Sequence, residues 1–183
     1  MKFIFFKRII LISAFVSCLF SCSSDLDYEQ ADDFNIQPVF ITNLAYVNGP
    51  ATNFLYNGVE VPFVSIVSEV DFLTTEFVKD DLVKAEMYFK VKNTIARGFA
   101  LRVVFYDEND TPLYTLPLNI GESHGTEIVV EHTEIFTAAK VDIIKNTAKM
   151  GFSVTMLPGT PITPTTPGRV ELSSSLTAYF NVK

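Results

Sequence analysis

Few side chains in this 183-residue sequence are of types and spacings that do chemistry. Its two cysteines, Cys18 and Cys22, stand four apart where an apolar run gives way to acid. One helical turn is poor geometry for a disulfide, and two thiols with no histidine or third cysteine nearby make no zinc site. The two histidines, His124 and His132, are eight residues apart with no recognised ligand spacing, so they form a metal pair only if the fold joins them. Ser123 beside His124, in Gly121-Glu122-Ser123-His124-Gly125, offers a nucleophile next to a base. No Gly-x-Ser-x-Gly elbow exists, however, and adjacent residues in a turn point in different directions. The acidic turn from Asp107 to Asp110 could gather calcium, but it lacks the central glycine and distal bidentate glutamate of an EF-hand and reads as a plain turn. The expectation is a protein with no catalytic residues, no metal site and no cofactor, and hence no enzyme.

Lys2, Lys7 and Arg8 precede an apolar stretch that opens at Ile9 and runs to about Phe20. A spanning helix needs roughly 20 apolar residues, so this stretch reads as a cleaved export signal. Leu19-Phe20-Ser21-Cys22 then resembles a bacterial lipoprotein signal, in which a small residue precedes the cysteine that is lipidated and becomes the new N-terminus. Cys18 is the competitor, but it would leave Leu19 and Phe20 on the mature chain, whereas Cys22 is followed at once by a polar segment. The resemblance implies lipidation at Cys22 and attachment to a membrane by acyl chains, each buried methylene contributing about 0.8 kcal/mol. Ser23-Ser24-Asp25-Leu26-Asp27-Tyr28-Glu29 resembles the acidic export tag of Bacteroidetes surface lipoproteins, with Ser23, Ser24, Asp25, Asp27 and Glu29 as the tag residues. Outer-membrane anchoring at the cell surface is what this implies; a periplasm-facing anchor is the alternative.

Without residues 1 to 21 the chain holds 11 bases against 21 acids, a net charge of −10. Nine of those acids and no Lys or Arg lie between Cys22 and Val78. Such a balance excludes nucleic acid as a partner, because that affinity rests on cations neutralising phosphates. It also excludes a basic patch gripping anionic lipid, leaving the acyl group as the anchor. The domain plan is a signal peptide over 1–21, an acidic tether over 22–34 and one folded domain over 35–183.

Period-two alternation dominates that domain. Val83, Ala85, Met87, Phe89 and Val91 share one face while Lys84, Glu86, Lys90 and Lys92 share the other, as in a strand with one wet face. Phe99-Leu101-Val103-Phe105 and the alternate residues Val170 to Val182 give further inward rows, and stretches 38–47, 61–72, 113–120, 126–132 and 150–157 are also strand-like. Asn57-Gly58 between apolar runs predicts a tight hairpin with positive φ at both residues, and Asp107 to Pro112 predicts another turn. One helix is expected near residues 133–149, with Thr137, Val141, Ile144 and Ala148 on one stripe, bridging two sheets. The Pro/Thr-rich stretch 158–168 predicts an extended, exposed connector.

Residues 88–114, YFKVKNTIARGFALRVVFYDENDTPLY, resemble immunoglobulin-like modules of bacterial envelope proteins. The fold class expected is therefore mainly β, an antiparallel immunoglobulin-like β-sandwich with one helix near 133–149. The function expected is a membrane-anchored, non-catalytic binding or accessory subunit at the cell envelope, partnered by an outer-membrane protein. Capture of a surface ligand such as a glycan is the alternative, with Tyr106 and Tyr114 as its sugar platform; zero tryptophan weighs against it.

Overall fold

A computed structural model describes residues 36–182. Cys18, Cys22 and the tag residues Ser23, Ser24, Asp25, Asp27 and Glu29 lie outside the described residues.

Ten strands carry the fold: β1 (Val39–Pro50), β2 (Leu55–Tyr56), β3 (Val59–Glu60), β4 (Phe63–Glu69), β5 (Leu82–Asn93), β6 (Phe99–Tyr106), β7 (Pro112–Ile120), β8 (Ile128–Thr137), β9 (Lys149–Met156) and β10 (Arg169–Phe180). Two short helices, α1 (Glu76–Asp81) and α2 (Val141–Lys145), join sheets. The first sheet has the order β1-β10-β5-β8 and the second β4-β9-β6-β7, every pairing antiparallel. The inward rows of the two sheets supply the core, with Met87, Phe89, Phe99, Phe105, Phe136 and Leu176 fully buried.

The pairings are nested. β6 pairs with β7, β5 with β8, β4 with β9 and β1 with β10, and these pairs fall alternately in the second and first sheets. One long hairpin wound around the core gives that order, which is the strand order of a jelly roll. The antiparallel sandwich therefore stands, while its winding differs from the immunoglobulin-like module that residues 88–114 suggested. In both topologies a strand alternates and a turn interrupts it; what differs is which distant strands pair.

Asn57 and Gly58 have φ of 51° and 77°, so the β2–β3 turn is of the primed kind. The helix is shorter than its spacing suggests. Residues 133–137 continue β8, whose ladder with β5 runs to the Thr137–Lys84 pair, and Ala138 breaks the strand at φ 51°. A 3-10 turn over Ala138–Lys140 leads into α2, where Val141 and Ile144 face the core, and the Thr147 hydroxyl closes the end by donating to the Ile143 carbonyl at 2.6 Å. This unit does bridge the two sheets, from β8 to β9.

Two buried polar side chains hold the connections. Asn93 donates through Nδ2 to the carbonyls of Arg97 (2.7 Å) and Gly121 (2.8 Å) and accepts the Ile95 N–H at 2.9 Å. Arg97 donates to the carbonyls of Leu157, Gly159 and Thr160 and lies 3.6 Å from Glu60, which in turn accepts the Ile162 N–H at 2.6 Å. The Pro/Thr-rich connector is thus pinned at its first half, with Ile162 buried, and is no loose strap.

Candidate functional site

A two-sheet sandwich has two open sides, where edge strand faces edge strand, and here the two are built oppositely. On one side β7 and β8 are the edges. The inward row of β8 includes His132 and Glu134, opposite Phe89 and Met87 of β5. Tyr114 of β7, opposite inward Phe105, meets them across the gap. Glu134 accepts hydrogen bonds from the Tyr114 hydroxyl (2.9 Å) and from Lys140, and its second oxygen lies 2.9 Å from His132 Nε2. Lys140 Nζ also sits 4.8 Å over the Tyr114 ring and 5.1 Å from the Phe136 centroid. Burial alone would raise the pKa of Glu134, but the hydrogen bonds from Lys140, His132 and Tyr114 outweigh it and hold the carboxyl at about 2. Lys140 is correspondingly raised, chiefly by its bond to Glu134. Inward-pointing charge is a known means of keeping a sheet edge from pairing with another chain.

On the other side β1 and β4 are the edges, and each has one strand neighbour among the described residues. From Ile36 to Ser68 the only Asp, Glu, Lys, Arg or His is Glu60. The inward row of β1 follows from its partners on β10: Phe40 lies opposite Ala178 and Val47 opposite Leu172. Val64 and Ile66 are the inward residues of β4, opposite Val154 and Phe152. Inward-facing apolar side chains are normally buried, yet Phe40 is 54% exposed, Val47 40%, Val64 41% and Ile66 57%. The sandwich gapes here, and a cavity of about 100 Å³ opens between the two strands, floored by Phe54, Leu101, Phe152 and Leu172. Its lining is almost wholly apolar. The outward row is apolar as well, with Ile41 at 75% exposure, Tyr46 at 68% and Val67 at 58%. Among the described residues partial cover comes at one end, where Phe77 of α1 and Phe40 both pack on the Phe180 ring, at 4.5 Å and 5.5 Å. In β1 a bulge between Asn43 and Ala45 is stapled by Ser174, whose hydroxyl accepts the Ala45 N–H at 3.0 Å.

A long edge with few charges beside an apolar groove is suited to accept another β-strand, main chain to main chain, with alternate side chains entering the groove.

The residues singled out from sequence are elsewhere. His124 is exposed in the β7–β8 connection beside Glu122 (3.4 Å), while His132 belongs to the Glu134 cluster. Ser123 is buried and donates to the Thr126 carbonyl at 2.8 Å, a turn staple and no nucleophile for His124. Asp107 accepts the N–H groups of Asn109 and Thr111, both at 2.8 Å, which consumes one of its oxygens within the turn and lowers its pKa. Lys149 pairs with Asp110 at 2.6 Å. Among the described residues no three His, Cys, Asp or Glu side chains converge to hold a metal ion. Tyr114 points inward to Glu134 while Tyr106 lies on the outer face over Gly151, so the two do not form one platform.

No family model and no curated protein matches this chain. Among solved structures it is similar to that of the infectious bursal disease virus Gx strain, at 9% identity and a TM-score of 0.46 over 78% of this chain and 32% of that one. It is also similar to a "putative secreted protein" from Parabacteroides distasonis, at 14% identity and a TM-score of 0.42 over 63% of this chain and 38% of that one. The chain spans about a third of the length of these structures. Among the described residues no helix is long and apolar enough to cross a membrane.

Proposed function

We propose that this protein is a lipid-anchored, non-catalytic binding subunit of the outer membrane that joins its assembly by strand addition at the β1/β4 edge. The observation that carries the binding role is the contrast between its two open sides: one closed by the Glu134 cluster, the other apolar across both strands, with Glu69 at the end of β4 its one charge. An exposed apolar surface of this size on an otherwise acidic protein marks a contact site. Anchoring rests on Leu19-Phe20-Ser21-Cys22, and surface direction on the acidic residues after it. Acyl attachment at Cys22 would hold the folded domain at the membrane without a spanning helix.

Metabolic labelling with a fatty-acid precursor, in wild type, Cys22→Ser and Cys18→Ser, tests the anchor: label should disappear in Cys22→Ser alone. Protease treatment of intact cells tests the leaflet, digestion being expected. Hydrogen exchange on the membrane-extracted protein tests the edge: the amides of β1 and β4 that face away from β10 and β9 should be protected in the assembly. Free exchange at both strands would remove the binding role from this site.

A further inference from the structure

We infer that the strand covering this edge is supplied by a second copy of the same chain, related by a two-fold axis that pairs β1 with β1 and β4 with β4. The inference rests on the reading of the edge as a binding surface and names its occupant.

Two observations single out that occupant. First, both sheets end on the same side with an edge strand that has one strand neighbour among the described residues. One inserted strand satisfies a single edge and leaves the other bare, whereas a two-fold copy continues both sheets at once, and an isologous contact requires only that each edge be its own complement.

Antiparallel self-pairing meets that requirement. In β4 a two-fold at Ser65 sets inward Val64 against the second copy's Ile66 and outward Phe63 against its Val67, each pair on one face. No charge opposes the approach, since β1 has none and β4 only Glu69 at its end. Elsewhere the surface carries the charges that would repel a copy; at this edge they are missing.

Second, the area suffices. Phe40, Ile41, Tyr46, Val47, Phe63, Val64, Ile66 and Val67 are each 40–75% exposed. Together they offer roughly 900 Å², taking about 200 Å² for a fully exposed large side chain, which is close to what each partner contributes to a standard stable interface.

The test uses the full-length protein extracted from membranes in a mild detergent. Density-matched sedimentation should show two chains per particle, with β1 and β4 edge amides protected from exchange. Ile66→Lys, which faces the groove, and Ile41→Lys, which points outward and leaves the core untouched, should each shift the particle to one chain and raise edge exchange at least tenfold. A wild-type monomer with edge amides protected by a different co-purifying protein would overturn the second-copy assignment and leave the strand-addition role standing. A wild-type monomer with unprotected edges would overturn both. A dimer that survives both lysine substitutions with its edges still exchanging freely would place the contact elsewhere and overturn the inference.

Discussion

Replacing Glu134 by Gln tests the account of the closed side. The side chain is 13% exposed, held by Lys140, Tyr114 and His132. Its carboxyl titrates at about 2 in the folded chain against an ordinary 4.5. A depressed folded pKa means that the ionised carboxylate stabilises the fold, in full above the unfolded value and progressively less as pH falls from 4.5 toward 2. Full conversion of that shift gives about 3 kcal/mol, and solvent at the rim of the gap reduces it to roughly 2 kcal/mol. Glutamine keeps the shape and loses the charge, so at neutral pH the variant should unfold about 2 kcal/mol more easily in urea. As pH is lowered the wild type alone loses this contribution, and the gap between the two proteins should fall to less than half by about pH 3. Urea midpoints measured for both proteins from neutral to acid pH give the comparison. A constant gap, or two curves that decline in parallel, would refute the assignment of the acid sensitivity to Glu134.

Other consequences are as concrete. Asn93→Leu should cost about 2–4 kcal/mol, because it leaves the Ile95 N–H and the Arg97 and Gly121 carbonyls without a partner in a buried site; thermal unfolding reads it. Gly168→Ala should cost about 2–4 kcal/mol as well, since φ is 100° there and an added Cβ would lie 2.6 Å from the Thr94 carbonyl oxygen, in backbone that cannot step aside. His124→Ala should change stability by less than about 0.5 kcal/mol, as the side chain is 81% exposed, and the melting temperature should be that of the wild type.

What the sequence makes legible is local. Alternation at Ala85 to Val91 and at Val170 to Phe180 marks strands that the structure places in the middle of the first sheet, and Asn57-Gly58 marks its turn; Val83, expected on the same inward row, falls at a register shift and is 48% exposed, with Leu82 buried in its place. Winding is not local: Ala45 meets Ser174 across 129 residues, and no short motif states that pairing. The same holds for Thr133 to Thr137, whose spacing suits a helix but whose alternate residues complete a ladder on β5. His132 and Glu134 are visible as residues, yet their meeting with Tyr114 and Lys140 depends on the gap between sheets. The open edge left a trace in composition, as the near absence of charge from Ile36 to Ser68. On sequence alone that feature merges into a charge count for the N-terminal part of the chain; only strand order shows that it covers two edges of one opening.

The two sides of the sandwich then constrain each other's interpretation. A marginally stable domain could leave an apolar edge bare simply because nothing in the fold reaches it. The same chain, however, spends an inward glutamate, a lysine, a histidine and a tyrosine on the opposite gap, where apolar residues would have closed it without the cost of desolvating charge. What those charges add is refusal of a neighbouring strand. On the proposed reading, a fold that refuses strands on one side and presents two edges nearly without charge on the other has a direction of assembly, with one closed contact per chain. An assembly built only from such contacts would stop at two copies, so a larger complex would have to be joined through other surfaces, the outer faces of the sheets or the loops at their ends.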